Sequence, residues 1–226
     1  MNQIIIFGSG ETAVLAYEYF SKDSTYQVMG FAVDNEYLKG DFLLGLPLVA
    51  FSDVVSIFPP DRFSAFVAVG STRMNQVRET LFDRVDKLKY NLVSYISSKA
   101  FVWDETRVGR NCLILENNTL QPFTIIEDNV ILWSGNHIGH RSKIEKNCFI
   151  SSQCVVSGFC NIGRNSFLGV NCTIEDGVKV GRNSFIGAGA MIRKNVIAGS
   201  VLQITDTKPS KVTSYKLFKV RKDDLE

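Results

Sequence analysis

The chain has 226 residues, 45% hydrophobic and 21% charged, with a formal net charge of +2. This composition excludes a wholly disordered chain, and without a long basic run nothing points to nucleic acid as a partner. No apolar stretch approaches the roughly 18 residues that span a bilayer, and no basic region precedes the first apolar run, so a cytoplasmic protein with no membrane insertion is expected.

Residues 1–95 read as a small α/β domain. Ile4-Ile5-Ile6-Phe7 is a continuous apolar run of the kind found in buried parallel strands. Gly8-Ser9-Gly10-Glu11-Thr12-Ala13 follows, with the Gly-x-Gly-x-x-Ala spacing of a tight strand-to-helix turn. The N–H groups that open such a helix can face a phosphate. Val14 to Phe20 continues as a helix. Gln27 to Val33 is a second strand that ends at Asp34, placed where a Rossmann acid meets a ribose hydroxyl. Ala65 to Val69 is a third strand, closed by Gly70-Ser71, and Met74 to Leu88 has a helical pattern. The length allows a single mononucleotide-binding half. Nucleotide binding through Gly8, Ser9, Gly10 and Asp34, and a purely structural use of the same unit, both stay open.

Beyond residue 100 the period changes to six. Val102, Val108, Ile114, Leu120, Ile126, Leu132, Ile138, Ile144, Ile150, Val156, Ile162, Leu168, Ile174, Val180, Ile186, Ile192, Ala198 and Ile204 are evenly spaced, and all but Ala198 are Val, Leu or Ile. Neither a helix nor a single strand predicts this. A solenoid does, if each six-residue unit forms one flat side and three sides close a coil. The residue four places after each aliphatic is mostly small, as a narrow interior requires. All five cysteines occupy that position, as Cys112, Cys148, Cys154, Cys160 and Cys172. They are therefore expected to be reduced, buried packing residues. Three places after each aliphatic the chain is rich in Asn and Gly, from Asn111 to Asn195, the types that best tolerate the positive φ of a corner.

Ile162-Gly163, Leu168-Gly169, Val180-Gly181 and Ile186-Gly187 resemble the hexapeptide repeat of left-handed parallel β-helix acyltransferases. With Gly8-Ser9-Gly10, Gly30-Phe31-Ala32-Val33-Asp34 and Val67-Ala68-Val69-Gly70, the layout resembles sugar acyltransferases of the bacillosamine N-acetyltransferase and sialic-acid O-acetyltransferase type, over about residues 3–204. The resemblance implies a Rossmann-like nucleotide-sugar-binding domain over 1–95, a left-handed β-helix over 96–208 and a tail over 209–226. It also implies a homotrimer, acetyl-coenzyme A as co-substrate and no metal. Its implied function is acetylation of a nucleotide-linked amino-deoxy sugar for a bacterial surface glycan such as lipopolysaccharide O-antigen.

Transfer to an amine or hydroxyl needs a base, and the chain has only two histidines, His137 and His140. His140 follows Ile138 by two places and so faces outward. The family's catalytic histidine holds the same position, matched here by Ile138-Gly139-His140-Arg141. The resemblance therefore implies His140 as general base. His137 directly precedes the aliphatic Ile138, and substrate contact in the same cleft and packing in the core or an interface both stay open for it. Arg141 stands where the family carries an acidic residue. The group that orients the imidazole is then expected to be a backbone carbonyl, Glu127 or Glu145, with Arg141 on the substrate. One coil of eighteen residues after His140 comes Gly158, whose N–H matches the family's oxyanion donor. Gly169, Gly187 and Ala188 match segments that line the pantetheine arm. Lys194, with Lys179, Arg182 and Arg193, brings positive charge for the coenzyme phosphates. Ile204 to Lys211 only partly matches the family's closing segment. Sialic-acid-type O-acetylation, a non-catalytic nucleotide-sugar-binding protein and a hexapeptide-repeat zinc carbonic anhydrase are the alternatives. Two histidines per chain disfavour the last.

Overall fold

The side chains of Ile4, Ile5, Ile6 and Phe7 have no exposed surface, because their strand is covered on both faces. In the computed structural model, which describes residues 2–205 and 208–219, strand β1 (Asn2–Phe7) lies at the centre of a sheet. The chain continues through α1 (Glu11–Lys22), β2 (Tyr26–Val33), β3 (Phe42–Leu43), β4 (Leu46–Ala50), α2 (Val54–Ile57), β5 (Ser64–Val67), α3 (Gln76–Lys87) and β6 (Asn91–Leu92). The sheet order is β3-β4-β2-β1-β5-β6, parallel except for β3. Ile4 and Ile6 pack with Ala13, Ala16 and Phe20 of α1. Ile5 and Phe7 pack with Phe82 and Val85 of α3 and with Val54. Two covered faces explain a continuous apolar run in place of alternation.

Helix α3 starts at Gln76, two residues later than the pattern predicts. Arg73, Met74 and Asn75 take left-handed backbone, with φ of 51°, 51° and 68°. Such residues cost roughly 1–2 kcal/mol each, and this turn is held by the second domain, as shown below. The hairpin β3–β4 and the short α2 have no counterpart in the sequence reading.

From Tyr95 the chain winds through strands of two residues. A seven-stranded first face runs through Tyr95, Leu113, Ile131, Phe149, Phe167, Phe185 and Val201. A six-stranded second face carries Phe101, Thr119, His137, Val155, Thr173 and Met191. A five-stranded third face carries Arg107, Ile125, Lys143, Asn161 and Lys179. All pairs are parallel, and partners lie eighteen residues apart through Ile192. This is the left-handed β-helix that the resemblance implies. The aliphatic series from Ile114 to Ile192 is buried and forms one core with the five cysteines. Burial pushes the Cys112 and Cys148 thiols up to about 12, so they stay protonated.

Two expectations fail at the last coil. Val180 pairs with Val196, and Ile186 with Leu202, sixteen residues on. The coil is two residues short, with its left-handed corner at Gly199 (φ 76°). Val196 and Leu202 therefore pack on the core, while Ala198 and Ile204 are exposed. Asn195 is not a left-handed corner; its Oδ1 accepts from the Lys179 N–H at 2.8 Å. The corners from Asn111 to Gly189 follow the pattern, with Phe123, Arg141, Gln153 and Phe159 also left-handed. Of the closing segment Ile204–Lys211, Asp206 and Thr207 lie outside the described residues, as do 220–226 of the tail.

The two domains meet over the first face, where Leu113, Leu115 and Ile131 pack with Phe20 and Phe66, and along one corner of the prism. There the side chains of Asn111, Asn129, Asn147 and Asn165 form a ladder, each Nδ2 donating to the next Oδ1 at 2.8–3.0 Å. The first rung also pairs with both backbone groups of Val67 at the end of β5. The last donates to Glu79 of α3 at 2.6 Å. Arg78 of α3 is fully buried. Its guanidinium donates to the carbonyls of Asn147 (2.7 Å), Cys148 (3.2 Å) and Asn129 (3.3 Å), and to Gly70 O at 2.7 Å. Asn75 Nδ2 donates to Asn165 O and Ser166 O, which fixes the left-handed turn.

Ile150→Asp is expected to bury an unpaired charge and to cost about 4 kcal/mol or more. Loss of the cooperative circular-dichroism transition would show it, and a parent-like melt would refute the register. Arg78→Ala leaves buried carbonyls without donors. Its expected cost is about 3 kcal/mol, read as a lower urea midpoint.

Candidate active site

His140 stands where the second face ends, one residue before the left-handed corner at Arg141 (φ 57°). The side chain is exposed, as its register predicts. The ring packs edge-on against Phe159, with centroids 4.9 Å apart, and lies over the Cα of Gly158. A Cβ on Gly158 would fall 2.6 Å from His140 Cε1 and 2.9 Å from Asp176 Oδ1. Glycine at 158 is thus what lets the imidazole lie against the next coil.

The backbone N–H of Gly158 donates to no acceptor among the described residues. The reason is visible in neighbouring coils. At three of the equivalent positions a side chain nineteen residues earlier accepts the N–H: Gln121 Oε1 from His140 at 2.9 Å, Glu127 Oε2 from Lys146 at 3.1 Å, and Glu145 Oε2 from Arg164 at 3.0 Å. The corresponding residue below Gly158 is Gly139, which has no side chain. A Cβ there would sit 2.6 Å from Gly158 N.

The expected orienting groups lie elsewhere. Glu127 also binds Lys143 at 2.6 Å, and Glu145 binds Asn161 Nδ2 at 2.9 Å. Neither bonds to His140. The acceptor beside the imidazole is Gln121, with Oε1 3.4 Å from Nδ1. Arg141 turns its guanidinium over the Phe123 ring, 4.6 Å from the centroid. His137 is half-buried on the outer surface of the second face, in ladder register with Thr119 and Val155.

A second concave region lies on the first domain, where the sheet order diverges from β1. Such a switch point leaves a crevice at the carboxyl ends of the strands. The cleft holds about 440 Å³ and is lined by Gly8, Ser9, Gly10, Asp34, Tyr37, Arg73 and Arg84, among others. Gly8 has φ +135°, and a Cβ there would meet Ala68 O at 2.5 Å, so the turn requires glycine. Gly10 caps α1 with no side chain and has open space before it. Asp34 departs from its expected state: both carboxylate oxygens accept from Arg84, at 2.6 and 2.8 Å. That bond holds its carboxyl below the usual range. The Arg84 guanidinium also covers Phe51 at 4.0 Å. The sequence reading missed Arg73 and Arg84, since no local pattern marks an arginine that reaches its site through tertiary packing.

Within one chain the two regions are apart. The first domain covers the first face and the asparagine corner, whereas His140 lies on the edge between the second and third faces. By coil count His140, Gly158, Asp176 and Lys194 form one column. Lys194 is exposed beside the open end of the prism. Gly169, Gly187 and Ala188 lie on another edge, after the first face, where a Cβ on Gly169 would meet Ala188 N at 2.5 Å. Among the described residues no three His, Cys, Asp or Glu side chains are grouped to hold a metal ion. No helix among them is long and apolar enough to cross a membrane.

Comparison with known proteins agrees with this architecture. The family model described as bacterial transferase hexapeptide (six repeats) matches residues 123–158 and 159–194, so these coils are hexapeptide repeats of the bacterial transferase type. The fold is shared with several solved structures. The acetyltransferase domain of PglB from Neisseria gonorrhoeae, in complex with acetyl coenzyme A, is similar with a TM-score of 0.79 and 22% identity, covering 89% of this chain and 96% of that one. PerB from Caulobacter crescentus, in complex with CoA and GDP-perosamine, gives 0.78 and 21%, covering 89% and 93%. WeeI from Acinetobacter baumannii gives 0.67 and 21%, covering 89% and 97%. A search of curated protein sequences found no match.

Gly158→Ala is expected to leave the coil intact, because the new methyl meets only the ends of the His140 and Asp176 side chains. The melt should move little, while the His140 ring resonances shift. Unchanged resonances would show that the ring does not rest on this glycine.

Proposed function

We propose that this protein is an acetyl-coenzyme-A-dependent N-acetyltransferase, acting on the amino group of a nucleotide-linked amino-deoxy sugar of the 4-amino-4,6-dideoxy class. The observation that carries the reading is the pair at the second-face edge: an exposed imidazole in contact with Gly158, whose N–H has no protein acceptor. Acyl transfer needs both elements. His140 takes the proton from the attacking amine, and the Gly158 N–H donates to the thioester oxygen as negative charge gathers there. PerB, which shares this fold, has been seen with CoA and GDP-perosamine, which supports both the acyl donor and the acceptor class.

The first domain holds the nucleotide. The Gly8–Gly10 turn and the start of α1 offer N–H groups to the diphosphate, and Arg73 adds a cation. Asp34, engaged by Arg84, acts with it as a pair. Because this cleft and His140 lie apart in one chain, the working site joins two copies, and a homotrimer supplies three such sites. His137, on the same coil as His140, and Arg141 contact the sugar. The edge of Gly169, Gly187 and Ala188 and the column ending at Lys194 flank the coenzyme from neighbouring copies. The enzyme works in the cytoplasm and supplies acetylated sugar for a surface glycan such as O-antigen.

The test is a thiol-release assay with acetyl-coenzyme A and a panel of nucleotide-linked amino sugars, with product masses. His140→Ala is expected to fold, to assemble and to lose roughly 100-fold in turnover. The loss should shrink from pH 6 toward 9 as the amine arrives neutral, whereas a hydroxyl acceptor would keep it large. Parent-like turnover in this variant would remove the base. Sedimentation is expected near three times 25.2 kDa, and a clean monomer would remove the shared site.

A further inference from the structure

We infer that Gln121 is a positioning residue for His140, its side-chain oxygen holding the imidazole with the proton on Nδ1 and the lone pair on Nε2. This rests on the reading of His140 as base and adds what aims it. The oxygen and nitrogen of an amide side chain are alike in shape, and here the backbone distinguishes them. The His140 N–H can only donate, so the Gln121 atom 2.9 Å away is the oxygen. That same oxygen lies 3.4 Å from His140 Nδ1. Two acceptors cannot bond, so the ring nitrogen facing it carries the hydrogen. The free lone pair is then on Nε2, the nitrogen away from the protein backbone.

The ring is bounded on its other sides by groups that set no tautomer. Phe159 presents an edge, and Gly158 a Cα. Charged groups near the ring are Asp176 across Gly158, Arg141 turned over Phe123, and Asp104 and Lys194 farther along the column. None bonds to the imidazole. The choice of residue is also informative. At the two equivalent caps the chain uses Glu127 and Glu145. Below the catalytic histidine it uses the neutral amide, which orients the ring without adding a charge that would favour imidazolium.

With ¹⁵N-labelled histidine the chain gives two imidazoles, and His137→Gln assigns them. Wild type above the histidine titration is expected to show His140 in the Nδ1–H form. Gln121→Leu should lose that preference and roughly tenfold or more in kcat, with KM for acetyl-coenzyme A unchanged. Gln121→Glu, whose carboxylate also accepts, should keep the Nδ1–H form. Asp176→Asn should leave the tautomer as it was. An Nε2–H form in wild type, or the same tautomer in wild type and Gln121→Leu, overturns the proposal; the first needs no variant to fold. A tautomer that follows Gln121 while turnover ignores both Gln121→Leu and His140→Ala supports the positioning and instead removes the base.

Discussion

Arg78 is fully buried, and no carboxylate among the described residues pairs with it. Desolvation lowers its pKa to about 10, still well above neutrality, so it enters the interior as a cation. Burying such a charge costs several kcal/mol unless donors and acceptors match. Here they do, because the left-handed corners of successive coils turn carbonyls outward toward α3. The same guanidinium bonds Gly70, beyond β5. One side chain thus ties the turn after β5 to the register of the solenoid.

The solenoid is built from near-identical coils, and a side chain caps the N–H two places after the inward aliphatic at only some of them. Glutamates cap it at Lys146 and Arg164. The cap is neutral below His140 and absent below Gly158, as it is below Arg182 and Ala188, where Gly163 and Gly169 hold the earlier position. No special loop is needed. A change of one side chain at this position of the repeat alters the outer edge of a coil and leaves the aliphatic core untouched.

The period of six was legible because it survives any tertiary arrangement: inward positions must be apolar in every coil. The column of His140 and Gly158 followed from the same count. Gln121 could have been found, since Gln121, Glu127 and Glu145 each directly follow an aliphatic position, but their offset of nineteen is not the offset of the core. Arg78 and the Asp34–Arg84 pair were not legible. An arginine on an amphipathic helix looks the same whether it meets water, carbonyls or a carboxylate. The two-residue contraction before Val196 was hidden for another reason. Ile204 continued the apolar count, while Leu202 held the real position.

The asparagine ladder has a definite end. It is tied to the first domain at Val67, beside Asn111, and at Glu79, beside Asn165, whereas the coils run on to Leu202. The prism is therefore supported along part of its length and free-standing beyond. In a linear array each coil is held by its own contacts and by its neighbours. The free coils, closed by a shortened turn with Val201 and Ile204 exposed, have a neighbour on one side only at their tip. Backbone amides should accordingly exchange with solvent in a gradient, slowest beside the ladder and fastest at the last turn. The column from His140 to Lys194 spans that gradient, with its His140 end on the slow side.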